Sequence, residues 1–162
     1  MRDLAQDLVQ ALAQRAATVT FAESCTGGLM AATLTGAAGA SRVFRGSYVL
    51  YCDEEKARLL GVAPALIQEQ GAVSEGCVLS LLQGLARDHG PCYAAAVSGI
   101  AGPDGARPGK PVGTVWIGLA SPNDRYSKRF QFDGDREAVR RQAVEVGLQG
   151  LLRLVKEEEG PW

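Results

Sequence analysis

The chain has 162 residues, 46% of them hydrophobic, which is enough for one buried core but too few for two ordinary domains. Its 17 basic and 18 acidic residues nearly cancel, so no net field favours nucleic acid or an anionic membrane surface. No apolar run approaches the ~20 residues of a spanning helix, and the N-terminus carries acidic residues rather than a signal core. We therefore expect a single cytoplasmic domain over residues 1–162, with no nucleic-acid or membrane partner.

Hydrophobic periodicity, punctuated by glycine and proline, divides the chain into helices and strands. Leu4, Leu8 and Leu12 recur at helical spacing, so the first element is predicted to be an amphipathic helix. In chain order the pattern predicts a helix over 2–15, a strand over 17–22, a helix over 28–34, a strand over 43–51, helices over 53–60, 64–69 and 74–88, strands over 93–97, 112–120 and 125–132, and a helix from 135 to about 156. This order predicts a three-layer α/β/α sandwich with a mixed, mostly parallel sheet.

A polar bend, AESCTGG, joins the first predicted strand to the second helix. The hydroxyls of Ser24 and Thr26 and the backbone N–H groups of Gly27 and Gly28 would gather around one point, which suits an anion. Helix capping by the two hydroxyls is an equally good interpretation.

A second polar segment, SGIAGPDGARPGKP, follows the strand over 93–97 and is too rich in glycine and proline for regular structure. Ser98 and Gly99 at its start either bind a ligand or simply turn the chain. In open α/β sheets ligands lie beyond the carboxyl ends of strands, so both bends are candidate sites.

Familiar chemical motifs are missing from the chain. It has no Gly-x-Gly-x-x-Gly, and Gly109-Lys110 lacks the remaining features of a phosphate-binding loop. Four widely spaced cysteines form no Cys-x-x-Cys pair, so no metal site is predicted. Cys25 could be a nucleophile, but the only histidine, His89, lies at a predicted helix end, and a packing role is favoured for the thiol.

Lys56 opens a predicted helix just after the strand over 43–51. If it is buried near Tyr51 and the turn at residues 39–41, its amine could take a proton from a serine, as in Ser-Lys catalysis. A surface lysine is the plainer alternative. Arg136 and Arg140 lie four residues apart on one helical face and either grip a phosphate or form part of a solvated surface.

A series of motifs runs in order along residues 17 to 152. They are AESCTGGL, GASRVF (residues 39–44), Tyr51 with Glu54 and Lys56, LGV (60–62), GAVSE (71–75), SGIAGPDG (98–105), KPVGTVW (110–116) and GDREAVRRQA (134–143). In these motifs the chain resembles the CinA-type C-terminal domain family. Stand-alone members of this family are nicotinamide-nucleotide amidohydrolases.

The resemblance implies hydrolysis of the carboxamide of nicotinamide mononucleotide to nicotinate mononucleotide and ammonia, without a metal or other cofactor. It implies a serine activated by a lysine with help from a tyrosine, here Ser41, Lys56 and Tyr51. It further implies substrate contacts by Ser24, by Ser98 and by an arginine of the GDR segment, most naturally Arg136, and a homodimer or higher oligomer. Arg140 is retained as a second candidate for the phosphate.

The chain departs from the family pattern at three positions. Ala40 stands where a first serine is frequent, and Cys52-Asp53 stands where Ser-Asn is frequent. These departures leave an alternative open, a weakly active or inactive nucleotide-binding accessory domain.

Overall fold

The computed structural model describes all 162 residues. They form a central sheet of five strands with helices on both faces. The strands are β1 (Val19–Glu23), β2 (Phe44–Val49), β3 (Tyr93–Gly99), β4 (Thr114–Ala120) and β5 (Arg125–Gln131). The helices are α1 (Arg2–Gln14), α2 (Leu29–Thr35), α3 (Asp53–Leu60), α4 (Pro64–Gln70), α5 (Glu75–His89) and α6 (Arg136–Val155). A short 3₁₀ turn, Ala40–Arg42, precedes β2.

The sheet has the order β2-β1-β3-β4-β5. β1 pairs in parallel with both β2 and β3, and β4 pairs antiparallel with both β3 and β5. Four strands therefore run in one direction and only β4 runs in the other. The predicted three-layer α/β/α sandwich with a mixed, mostly parallel sheet is confirmed.

Strand residues point alternately to two separate cores, because successive side chains lie on opposite faces of a sheet. On one face Phe21 and Val97 pack in the same core as Leu8 of α1 and Leu148 of α6. On the other face Ala22 of β1 and Ala96 of β3 pack in a second core with Val78 and Leu82 of α5. Burial of these apolar side chains is the main favourable term for the fold.

The predicted elements correspond to the observed ones with shifts of at most two residues at their ends. The largest consequence is at β3, which the pattern ended at Val97 and which continues to Gly99. Ser98 and Gly99 are therefore strand residues rather than loop residues. The irregular segment begins only at Ile100 and lasts until β4.

The parallel arrangement of β1, β2 and β3 brings their carboxyl ends to one edge of the sheet. Ser24 follows β1, Leu50 follows β2 and Ser98 lies at the end of β3. None of the six helices is long and apolar enough to cross a membrane. The polar edge formed by the three strand ends is where the candidate site lies.

Candidate active site

Ser24 and Lys56 meet at the carboxyl edge of the parallel strands. The amine nitrogen Nζ of Lys56 lies 3.1 Å from Oγ of Ser24 and donates to the Leu50 carbonyl at 3.0 Å. Ser24 comes directly after β1 and Lys56 lies in the first half of α3, which follows β2. Because β1 and β2 are parallel neighbours, both residues reach the same point.

Both partners are withdrawn from water. Lys56 is 1% exposed and Ser24 is 9% exposed. A lysine amine in direct contact with a serine hydroxyl is the arrangement of Ser-Lys nucleophilic catalysis, in which the amine takes the hydroxyl proton. The sequence left two positions open for Lys56, buried and at the surface, and the structure shows that it is buried.

Ser41 does not reach Lys56. It lies exposed in the 3₁₀ turn before β2, whereas Lys56 lies beyond the other end of that strand. Six residues of extended chain cover about 20 Å, so the two residues lie at opposite edges of the sheet. The expected Ser41–Lys56 pair is not formed, and the serine that faces Lys56 is Ser24, for which only substrate binding was expected.

Tyr51 also lies at the carboxyl edge, but its hydroxyl is hydrogen-bonded to Arg136 and not to Lys56. Its side chain is 61% exposed, and its hydroxyl accepts a hydrogen bond of 2.6 Å from Nη2 of Arg136. Arg136 also donates from Nη1 to the Gly102 carbonyl at 2.8 Å. These contacts tie α6 to the end of β2 and to the irregular segment after β3, and they place one of the expected substrate-binding arginines at the rim of the site.

Arg140 holds the bend that carries Ser24. Its Nε donates to the Cys25 carbonyl at 3.0 Å and its Nη2 to the Thr26 carbonyl at 2.8 Å. Two of its donors are therefore engaged by backbone carbonyls, which makes it a support of the bend. The open cleft beside Arg136 and Arg140 has a volume of about 610 Å³ and also includes Arg141.

Glu23, which the sequence did not indicate as a site residue, holds the same bend in place through its buried carboxylate. Its carboxylate is 1% exposed and accepts from the Thr26 hydroxyl at 2.8 Å and from the Ser47 hydroxyl at 2.9 Å. It also accepts from three backbone N–H groups at the start of α2, those of Gly28, Met30 and Ala31. A carboxylate at a helix N-terminus is favourable both for the helix dipole and for the unpaired amides.

Three residues expected to form an anion cradle are thus already engaged. The Thr26 hydroxyl and the Gly28 N–H both donate to Glu23, and the Gly27 N–H donates to the Ser24 carbonyl at 3.0 Å. Gly28 has a φ of 95°, which explains the glycine, because side-chain-bearing residues rarely adopt this conformation. These three residues shape the bend and do not present free donors.

Ser98 lies beside Ser24 on the neighbouring strand. Glu23 and Val97 are register partners, and the Ser24 N–H donates to the Val97 carbonyl at 3.0 Å, so the next residues, Ser24 and Ser98, are adjacent. Ser98 is 1% exposed. Gly99, in contrast, is required by packing, because a Cβ there would lie 2.6 Å from Cγ2 of Val115.

Cys25 is a poor nucleophile in this environment. Burial raises the pKa of its thiol to about 11, and Arg136 and Arg140 oppose this shift only in part. The reactive thiolate is therefore scarce near neutral pH. The packing role favoured from the sequence agrees with its position, which is 5% exposed in the core beneath α2.

The fold and the site together define an α/β protein with a buried serine–lysine pair at the carboxyl edge of parallel strands, an arrangement suited to nucleophilic hydrolysis of an acyl group. The family model described as the CinA C-terminal domain matches residues 1–155. The chain belongs to the CinA C-terminal domain family.

Curated relatives match almost the whole chain. Nicotinamide-nucleotide amidohydrolase PncC of Pseudomonas putida is 48% identical over 151 residues, which are 93% of this chain and 94% of that protein. The Escherichia coli K12 protein of the same name is 45% identical over 152 residues, 93% of this chain and 92% of its own length. A CinA superfamily protein from Klebsiella pneumoniae superposes with a TM-score of 0.92 at 35% identity and covers 96% of this chain and 98% of its own.

Proposed function

We propose that this protein hydrolyses the carboxamide of nicotinamide mononucleotide, giving nicotinate mononucleotide and ammonia. The observation that carries the proposal is the buried contact of 3.1 Å between Lys56 Nζ and Ser24 Oγ. Relatives that are 45–48% identical over 93% of the chain are named nicotinamide-nucleotide amidohydrolases. The reaction needs a nucleophile, a proton for the departing ammonia and stabilisation of an oxyanion.

In the first half of the reaction, Ser24 Oγ attacks the carboxamide carbon while Lys56, in its neutral form, takes the hydroxyl proton. The tetrahedral intermediate then breaks its C–N bond. Lys56 returns the proton to the nitrogen, ammonia leaves, and an ester joins Ser24 to the nicotinoyl carbon.

In the second half, water attacks this ester and gives its proton to Lys56. Cleavage of the C–O bond to Ser24 releases nicotinate mononucleotide, and the proton held by Lys56 returns to the serine. One water is consumed and one ammonia is released, and the protein is restored. No metal or other cofactor takes part in these steps.

The oxyanion of both intermediates requires hydrogen-bond donors close to Ser24. The backbone N–H groups of Cys25 and Thr26 follow the nucleophile directly and donate to no backbone carbonyl. Preorganised amides next to a nucleophile are an effective device for stabilising such a charge. We assign the oxyanion to these two groups in place of the Gly27 and Gly28 amides, which have partners in the bend.

Binding of the nucleotide falls to residues around the Ser24–Lys56 pair. The buried Ser98 hydroxyl lies next to Ser24 and is suited to contact the carboxamide. Arg136, which is hydrogen-bonded to Tyr51 at the rim of the site, is suited to bind the phosphate. The open cleft beside Arg136 and Arg140 would hold the phosphate group. Tyr51 then acts as a binding residue beside Arg136, since its hydroxyl is hydrogen-bonded to Arg136 and not to Lys56.

The alternative of an inactive accessory domain is not favoured. Ala40 is 5% exposed and packs in the core beside α1, far from Lys56, so the serine missing there removes nothing from the Ser24–Lys56 pair. Cys52 and Asp53 lie near Lys56 and leave its contacts with Ser24 and Leu50 intact.

Incubation of the purified protein with nicotinamide mononucleotide tests the proposal. We expect ammonia and nicotinate mononucleotide to accumulate in equal amounts, at a rate proportional to protein and insensitive to chelators. Binding of the nucleotide by calorimetry without any release of ammonia would instead support the accessory domain and overturn the proposed activity.

We further propose a homodimer or higher oligomer in the cytoplasm. The outer edge of β2 is unpaired, and Val49 and Tyr51 near it are 49% and 61% exposed, which are features of a surface that pairs with another chain. All four cysteines are free, as is usual in a reducing compartment. Analytical ultracentrifugation at micromolar concentration tests the assembly, and a monomer would contradict it.

A further inference from the structure

Asp53 is a carboxylate at the active site that the proposed reaction does not use. Its Oδ1 lies 3.9 Å from Lys56 Nζ, and its side chain is 56% exposed while that of Lys56 is only 2% exposed. It lines two open cavities, one of about 830 Å³ beside α3 and α4 and one of about 310 Å³ facing the segment after β3. The carboxylate therefore lies between the buried Lys56 amine and open solvent.

The charges around the pair are otherwise unsuited to a cationic ligand. Lys56 lies at the centre, and Arg136 and Arg140 lie at the rim. The other carboxylate at this edge, Glu23, accepts five hydrogen bonds from the bend, α2 and β2 and is 1% exposed. Asp53 is thus the exposed negative charge in contact with the Lys56 amine.

Nicotinamide in a nucleotide is a pyridinium ring with a full positive charge. Its ring nitrogen is separated from the carboxamide carbon by one ring carbon and the carbon that bears the amide. Asp53 Oδ1 lies 3.9 Å from Lys56 Nζ, and that nitrogen lies 3.1 Å from Ser24 Oγ. A pyridinium ring whose carboxamide carbon contacts Ser24 Oγ is therefore close enough to the Asp53 carboxylate for a Coulomb interaction. A carboxylate at this distance attracts such a cation.

We propose, on the basis of the proposed function, that Asp53 makes the site selective for the positively charged pyridinium form of the substrate. It does so by Coulomb attraction across the space beside Lys56, with no direct part in proton transfer. Opposite unit charges about 6 Å apart change a binding ratio by roughly 3- to 30-fold, depending on how much water remains between them. A carboxylate that served only the dipole of α3 would not distinguish ligands by ring charge.

Two ligands separate these roles, because they differ in ring charge and share the carboxamide, ribose and phosphate. Nicotinamide mononucleotide carries the pyridinium, and its reduced form carries an uncharged dihydropyridine. Calorimetry in a Ser24→Ala background measures both affinities without turnover. We expect the charged form to bind more tightly, and we expect Asp53→Asn to reduce this preference by roughly 3- to 30-fold.

Two further variants complete the test. Asp53→Glu keeps the charge and should keep most of the preference. Glu69→Gln removes an exposed carboxylate of α4 that lines neither cavity and should leave the preference unchanged. An equal loss of affinity for both ligands in Asp53→Asn, or an unaltered ratio, would overturn the proposal.

The two proposals fail in different ways. If the unaltered chain releases no ammonia but binds the two ligands, the hydrolytic function fails while the affinity ratio still decides the role of Asp53. If the chain hydrolyses the nucleotide and the ratio is the same with and without the Asp53 carboxylate, only the selectivity proposal fails. Absence of binding for both ligands would overturn both.

Discussion

Lys56 Nζ lies 3.1 Å from Ser24 Oγ although 31 residues and a complete strand separate them along the chain. The contact exists because β1 and β2 are parallel neighbours, so the residues that follow them emerge at one edge of the sheet. The same topology keeps Ser41, which precedes β2, at the opposite edge.

The first prediction separates the two candidate serines. Ser24→Ala should lower kcat by at least about 10³-fold, because it removes the nucleophile. Ser41→Ala, which changes an exposed side chain in the turn before β2, should retain kcat within about twofold. Ammonia release measures both, and a large loss in Ser41→Ala with activity kept in Ser24→Ala would reverse the assignment.

The second prediction concerns the proton acceptor. Lys56→Met should lower kcat by about 10² to 10⁴-fold, because it removes the proton acceptor. Lys56→Arg should be equally inactive, because a guanidinium stays protonated near neutral pH and cannot accept a proton. Lys128→Met removes an exposed lysine of β5 and serves as the matched control with normal activity. Thermal unfolding should show Lys56→Met folded. Substantial activity in Lys56→Arg would contradict a role as base.

The third prediction concerns Glu23. Glu23→Gln keeps the shape of the side chain but turns an amide N–H₂ towards groups that donate to the carboxylate. The free energy of unfolding should fall by about 2 to 4 kcal/mol, as expected for the loss of buried charge-assisted hydrogen bonds. Urea denaturation measures the change, and the exposed Glu145→Gln on α6 should alter it by less than about 0.5 kcal/mol. Equal stability of the two variants would show that the bend does not depend on this carboxylate.

The fourth prediction concerns thiol reactivity. Burial raises the pKa of Cys25 and of Cys77 to about 11, so their thiolates become abundant only as the pH approaches that value. Cys52 is exposed and Cys92 is buried. Iodoacetamide at pH 8 should therefore alkylate Cys52 rapidly in the native protein, with all four cysteines reacting after denaturation, as counted by mass spectrometry. Rapid native labelling of Cys25 would contradict its placement in the core.

The fifth prediction concerns Arg136. If it binds the phosphate equally in the ground state and the transition state, Arg136→Ala should raise KM by about tenfold or more and leave kcat within about threefold. Arg125, exposed at the start of β5 and so at the opposite edge of the sheet, provides the control, because Arg125→Ala should change KM by less than about threefold. Steady-state kinetics distinguish the two. A fall in kcat at unchanged KM would assign Arg136 to the transition state alone.

The fold was accessible from the sequence to a large degree. Apolar periodicity and glycine or proline breaks define α1 and α6, and they give all five strands with end errors of a few residues, because these signals are local. The extension of β3 to Gly99 was missed since Ser98 and Gly99 look like loop residues. Only the packing of Gly99 against Val115 shows why a glycine belongs in that strand.

The site was accessible only in part. The sequence directed attention to Lys56 and to the polar bend with Ser24, but it treated the turn before β2 and the helix after β2 as neighbours. The two ends of β2 lie about 20 Å apart, so a residue just before the strand and a residue just after it cannot be in contact within one chain. The signal that could have corrected this is topological: residues that follow parallel strands share an edge.

By itself, the sequence determined the elements, the sandwich architecture and the family, because local patterns and ordered motifs encode them. The tertiary structure decided which serine faces Lys56, that Glu23 and Arg140 hold the bend, and that Thr26 and Gly28 are used by Glu23. These relationships join residues on separate elements, and they depend on strand order and side-chain direction. Distances of a few ångströms between such residues arise only when the sheet has formed and both of its faces are covered.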